Sequence, residues 1–224
     1  LGPVRRLVKI GQKTVKDTPS EKLYDSLITM LAGGHGIVKV NTRLRSDRAL
    51  QAAFGRQRCA EQSVIQETLN ACTAENVVQM QQAVQSIYRQ HSRGYRHDYA
   101  AAWQILDVDL TGMPCRPKAA FATQGYFANE RGRHGRQLGR VLATRYQEVV
   151  VDQLYPGKAH LVTALPELVQ AAAQVLDLDG AKRRRTLLRI DGGGGSVADI
   201  NWAFDQGYEV HAKDYATLRV RALV

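Results

Sequence analysis

The chain reads as an α/β protein: a helical amino-terminal region followed by a mixed sheet flanked by helices. Three observations predict this. Residues 20–92 carry apolar side chains at helical spacing, interrupted by glycines. The stretch Trp103–Gly112 alternates instead, with Ile105, Asp107 and Asp109 on one side of an extended strand and Leu106, Val108 and Leu110 on the other. Beyond it, short aliphatic runs alternate with helical patterns.

Residues 1–19 are basic and weakly periodic (Arg5, Arg6, Lys9, Lys13, Lys16, then Pro19). They predict an irregular lead-in, either a phosphate-binding arm or a disordered end. Ser20 is placed to cap a helix from Glu21, with Leu23, Leu27, Met30 and Leu31 at helical spacing, and Gly33-Gly34-His35-Gly36 stops it. A second helix is expected over Asp47–Phe54 and a third from Ser63. A fourth, Ala74–His91, sets Val77, Val78, Met80, Val84 and Ile87 near one stripe. Arg43, Arg45, Arg48, Arg56 and Arg58 suit either a small DNA-contacting or dimer-contacting module or a bundle with a solvated basic face. Arg93–Tyr99 reads as a linker. The expected domains are therefore 1–98, helical, and 99–224, α/β.

In the second region, Gly112–Gly139 is rich in glycine, arginine and aromatics (Phe121, Tyr126, Phe127) and weak in periodicity. Leu138–Tyr146 and Glu148–Leu154 read as a strand pair, followed by a turn at Pro156-Gly157. Leu165–Leu178 is a helix with Pro166 in its first turn, and Gly180–Arg185 a basic loop. Thr186–Ile190 is a strand, Val197–Phe204 a helix stopped by Gly207, and Tyr208–Ala212 a last strand. Three strands before the first helix, then alternating helix and strand, is the order of the ribonuclease-H-like fold.

The 224 residues suffice for one large domain or two small ones, and 44% are apolar, enough for a sizeable core. Lys and Arg number 31 against 21 Asp and Glu, a net charge of +10, with Arg outnumbering Lys. Such an excess suits a polyanionic partner, most simply nucleic acid. Cys59, Cys72 and Cys115 are scattered, as expected of reduced thiols in a cytosolic setting. No run of 18 or more apolar residues is present, so no transmembrane helix and no membrane partner are expected. The histidines (His35, His91, His97, His134, His160 and His211) show no metal-ligand spacing. The opening Leu1-Gly-Pro-Val lacks an initiator Met and a signal-peptide core, as expected of numbering that begins inside a longer reading frame.

Two strand-borne acids far apart in sequence meet if their strands are neighbours. Asp109 or Asp107 on the first strand and Asp191 at the end of Thr186–Ile190 could then hold Mg²⁺ or Mn²⁺ for two-metal phosphoryl transfer. Asp107 could instead pair with an arginine, and Asp191 could merely end its strand. The glycines after Asp191 allow backbone or phosphate to come close.

Ile105–Gly112, Gly135-Arg-Gln-Leu-Gly139 and Leu188-Arg-Ile-Asp-Gly-Gly-Gly-Gly-Ser196, with Asn201 and Gly207-Tyr208, resemble the catalytic domain of bacterial insertion-sequence transposases of the DDE type. The resemblance extends from about residue 20 to the end. It implies Mg²⁺-dependent cleavage and joining of double-stranded DNA at transposon terminal repeats and target, a homodimer, and a nucleoid-associated bacterial setting. Asp109, two before Thr111, matches the first catalytic acid, with Asp107 its rival, and Asp191 matches the second. The family's third acid lies on a later helix. Because the chain stops at Val224, the sheet is expected to be incomplete at its carboxyl end and the isolated chain to have little activity. Arg131, Arg133, Arg136 and Arg140, with Lys182, Arg183 and Arg184, would contact DNA backbone.

Three other readings compete, one of them a nuclease of the same fold, which would cut DNA without joining strands. A non-catalytic DNA-binding remnant explains the charge without the third acid. A dinucleotide site is suggested by Gly193, Gly195 and Ala198 opening a helix after a strand, with Asp214 where a ribose-binding acid would sit.

Overall fold

The computed structural model describes residues 1–13, 16–191 and 196–213. The chain divides into two compact units, Leu1–Ile87 and Tyr88–Val224.

The first unit is helical from its start. The lead-in expected to be irregular contains α1 (Gly2–Leu7), with Pro3 where a helix start has no need of its N–H. Val4, Val8 and Ile10 are buried in one cluster with Ala83, beside Leu23, Met80 and Ile87. The interleaved basic residues had hidden this apolar face. Helix α2 (Pro19–Leu31) is capped by Thr18 rather than Ser20. The Glu21 N–H donates to Thr18 Oγ1 (3.3 Å) and the Thr18 N–H donates to Glu21 Oε2 (2.8 Å), a reciprocal box that leaves Pro19 as first helical residue. A π-helical turn (Val40–Leu44) follows, then α3 (Arg48–Ala53), α4 (Gln62–Asn70) and α5 (Ala74–His91). Val77, Val78 and Val84 do not form a buried stripe on α5; they are exposed, and Asn76 and Ala83 turn inward. The Asn76 amide donates to the Lys9 carbonyl (2.9 Å), and the small Ala83 belongs to the cluster that buries Val4 and Val8.

The basic face expected on this unit is largely bound up within it. Asp25 is fully buried. The Arg56 guanidinium donates to Asp25 (2.7 Å), Glu21 (3.1 Å) and Asp17 (3.4 Å), and the Ala60 N–H donates to Asp25 (2.9 Å). Arg58 pairs with Asp17, Arg45 with Glu61, and Arg43 and Arg48 donate to the Ala32 and Gln57 carbonyls. Burial, helped by the Asp25 charge, pushes the neighbouring Cys59 thiol up to about 11.

In the second unit, Arg93–Tyr99 is not a free linker. Glu148 accepts from the Ser92 hydroxyl (2.5 Å) and from the Arg93 and Gly94 N–H groups (3.0 and 2.8 Å). His97 lies between the Tyr146 hydroxyl (2.7 Å) and the Ala102 carbonyl (3.0 Å).

Among the described residues six strands form one sheet: β1 (Gln104–Pro114), β2 (Thr123–Phe127), β3 (Glu130–Ala143), β4 (Glu148–Pro156), β5 (Thr186–Ile190) and β6 (Glu209–Ala212). β1 pairs β3 antiparallel and β5 parallel; β5 pairs β6 parallel. On its other edge β3 pairs β2 with its first half and β4 with its second. The path β4-β3-β1-β5-β6, with two antiparallel pairings then two parallel ones, is the ribonuclease-H-like strand order. The added strand, β2, fell in the glycine-rich stretch where alternation is weak.

Helices α6 (Leu161–Leu176) and α8 (Val197–Asp205) supply the core's other layer. Leu165, Leu168, Ala172 and Ala203 join Leu106, Val108, Val141, Leu188 and Ile190 in one buried cluster. α6 begins four residues earlier than the expected Leu165 because Leu161 and Ala164 also bury. Pro166 therefore lies inside the helix, where the Val162 carbonyl it leaves unbonded is on an exposed residue. The expected basic loop holds a short helix, α7 (Gly180–Arg183), capped by Asp179, whose carboxylate accepts the Lys182 N–H (2.8 Å).

Asp25→Ala leaves the Arg56 guanidinium without its buried partner and is expected to destabilise the first unit by about 3 kcal/mol in urea unfolding. Burial alone would raise the Glu148 carboxyl, but the Ser92, Gly94 and Arg93 donors hold it below the ordinary range. Its contribution is therefore present above the unfolded glutamate value of about 4.3 and lost as the pH falls through the lowered folded value. Glu148→Ala should lower the melting temperature at pH 7, with the gap from wild type narrowing below about pH 4.

Candidate metal centre and nucleic-acid interface

The parallel register between β1 and β5 runs from Gln104↔Thr186 to Val108↔Ile190. Alternation then sorts the residues by face. Leu106, Val108, Leu188 and Ile190 point into the core. Asp107 and Arg189, paired in register, point to the opposite face, where Arg189 holds Asp107 with two hydrogen bonds of 2.6 Å. One step beyond the last paired residues, Asp109 in the middle of β1 comes beside Asp191, the first residue after β5.

Asp109 is on the exposed side of the strand. Partial loss of surrounding water pushes its carboxyl up from the ordinary aspartate range, and the charges of Asp191 and Asp107 push the same way. The Leu110 N–H, donating to Asp109 Oδ1 at 2.7 Å, opposes this. A carboxylate raised mainly by lost water, and further by neighbouring acids, is one that a cation would relieve. Asp109 and Asp191 suit a hard cation that takes a few protein oxygens and keeps its waters. Among the described residues no group of three His, Cys, Asp or Glu is gathered for a metal. The four glycines after Asp191 and Asp214 lie outside the described residues.

On the β3 side, Arg140 is in register with Asp109 and also with Asp152 on β4. Its guanidinium grips Asp152 with two hydrogen bonds of 2.7 and 2.8 Å. Arg140 thus braces the strand pair, although almost half of its side chain stays exposed.

The carboxyl end of β1, β2 and the first half of β3 form an exposed arm. Its centre is Phe127, buried against Gly112, Gly125 and Gly135; a Cβ on Gly135 would stand 2.5 Å from the ring. Arg116, Lys118, Arg131, Arg133 and Arg136 lie along it, with Glu130 the one acid in residues 112–137. Arg133 pairs with Glu130 (3.3 Å). Arg116, Lys118 and Arg131 make no ion pair among the described residues.

Two of the basic residues expected around Lys182 close a helix end. Lys182 Nζ donates to the Asp177 carbonyl (2.9 Å) and Arg183 Nε to the Leu178 carbonyl (3.2 Å), both closing the end of α6. Arg183 also stacks over Tyr208. Arg184 is exposed beside Asp179. Sequence reasoning passed over Arg189, Asp152, Arg116 and Lys118. Arg189 had a visible signal, since it precedes Asp191 by the same two residues that separate Asp107 from Asp109.

No family model matches the chain, and no curated protein matches it. Solved structures similar to it include transposases. The piggyBac transposase synaptic complex with hairpin DNA has 10% identity and a TM-score of 0.46 over 94% of this chain and 45% of that one. The pre-cleavage Mos1 transpososome has 13% identity and a TM-score of 0.36 over 96% of this chain and 68% of that one. A Mos1 mariner paired end complex with Mn has 12% identity and a TM-score of 0.32, again over 96% and 68%. The chain spans less than half the length of the piggyBac chain that it matches.

Gly135→Ala should force the Phe127 ring out of its cup, costing about 1–3 kcal/mol. Limited proteolysis of the variant should show faster cutting within residues 112–136 than in wild type.

Proposed function

We propose that this chain is transposase-like: it binds double-stranded DNA and holds divalent cations on Asp109 and Asp191 for phosphodiester cleavage and joining. The observation that carries this reading is the meeting of the two acids on neighbouring parallel strands of a ribonuclease-H-like sheet, on the face away from the core. When bound, Mg²⁺ or Mn²⁺ supplies an activated oxygen nucleophile and charge stabilisation of the leaving oxygen. Asp109 and Asp191 fix where that chemistry occurs. Arg140, locked to Asp152, keeps β3 and β4 in register beside them. The exposed arm, with Arg116, Lys118 and Arg131, tracks the phosphate backbone.

A DNA-binding role without catalysis is the second reading. It is favoured because Asp107, the further carboxylate on this face, is held by Arg189. A dinucleotide role has less support. The amino terminus of α8 is already closed by Ser196 and Asp199, whose carboxylate accepts from the Ser196 N–H and hydroxyl at 3.2 and 2.6 Å. An acid there opposes a pyrophosphate.

Two measurements test the proposal. Mn²⁺ binding, read by the resonance of the free ion, should weaken at least tenfold in Asp109→Asn and in Asp191→Asn; wild-type affinity in both rejects the metal pair. Duplex DNA binding should survive both substitutions. Replacing Arg116, Lys118 and Arg131 together by Gln should reduce the slope of log affinity against log salt by about 2–3, as expected for three lost phosphate contacts. An unchanged slope rejects the arm as the DNA surface.

A further inference from the structure

The face that carries Asp109 and Asp191 holds a third carboxylate. Asp107 lies two residues before Asp109 on β1, on the same side of the strand and about 6.6 Å away along it. As the side chains stand, Asp107 is not gathered with Asp109 and Asp191 into a three-ligand group. Both of its oxygens are instead taken by Arg189, through Nε to Oδ1 and Nη2 to Oδ2, each at 2.6 Å.

This pairing is built by the backbone. Asp107 and Arg189 are register partners across β1 and β5, so the strands bring the fork and the carboxylate together before any side-chain search. Arg189 is about half exposed and Asp107 about a quarter, so the pair borders solvent and a cation could compete for the carboxylate.

We propose that Arg189 is a positioning residue that withholds Asp107 from the metal-holding pair. It limits the site to two acids and lowers its affinity for divalent cations. This rests on the reading of Asp109 and Asp191 as that pair. Without Arg189, Asp107 turns to the cation, and the face becomes a three-carboxylate site.

The test is equilibrium Mn²⁺ binding to the whole chain, with folding checked by circular dichroism and melting temperature. Arg189→Gln should bind Mn²⁺ about five- to tenfold more tightly than wild type. The double variant Asp107→Asn/Arg189→Gln should return to within about twofold of wild type, which ties the gain to the Asp107 carboxylate. Arg189→Lys keeps a cation but loses the fork, and should show a smaller gain; it replaces Arg189→Gln if that variant does not fold. Wild-type or weaker affinity in a folded Arg189 variant overturns the proposal, as does a gain that persists in the double variant. The Asp109→Asn arm separates the two failures. If it leaves affinity unchanged, the metal pair itself is wrong and the role of Arg189 falls with it. If it abolishes binding while the Arg189 variants bind as wild type, only the withholding role is wrong.

Discussion

The parallel pairing of β1 with β5 is the constraint on which the second unit depends. Side chains alternate with a period of two, so a slip of one residue would carry Asp107 and Asp109 into the core and turn Leu106 and Val108 to water. Burying two carboxylates without partners costs far more than the strand pairing returns. The register is thus set by the same aliphatic residues that fill the core: Leu106 and Val108 on one strand, Leu188 and Ile190 on the other. The opposed acids on the outer face follow from the packing of the inner face.

The outer face is organised as cross-strand rows. Asp107 and Arg189 face each other across β1 and β5; Arg140 and Asp152 do so across β3 and β4. Each arginine neutralises one acid, and the Asp191 charge acts on Asp109 beside them. The positive charge is also unevenly placed. Many of the arginines in the first unit close helix ends or hold a buried acid, as Arg43 and Arg56 do. Lys182 and Arg183 close the end of α6. The arm around Phe127 keeps Arg116, Lys118 and Arg131 free of ion pairs among the described residues. Net charge therefore pointed to a polyanion, whereas the surface that could bind one is much smaller than the count of basic residues suggests.

How legible each part was depended on the range of the interaction behind it. β1 announced itself because one face is uniformly aliphatic. β5, α5 and α8 were near their expected bounds because caps, glycines and apolar spacing act within a few residues. α1 and β2 were not foreseen. α1 buries Val4 and Val8 in a cluster with Ala83, some eighty positions on, and β2 closes over Phe127 only because Gly112, Gly125 and Gly135 leave room for the ring. Neither contact leaves a periodic trace in a short window.

By itself the sequence determined the α/β class and most of the strand and helix order, since alternation and helical spacing are local properties. It left Asp107 and Asp109 equivalent, because both project from the same side of the same strand. Only the tertiary structure separates them. The β1–β5 register brings Arg189 onto Asp107 and Asp191 beside Asp109, and which charge meets which across a sheet depends on a strand some eighty residues away.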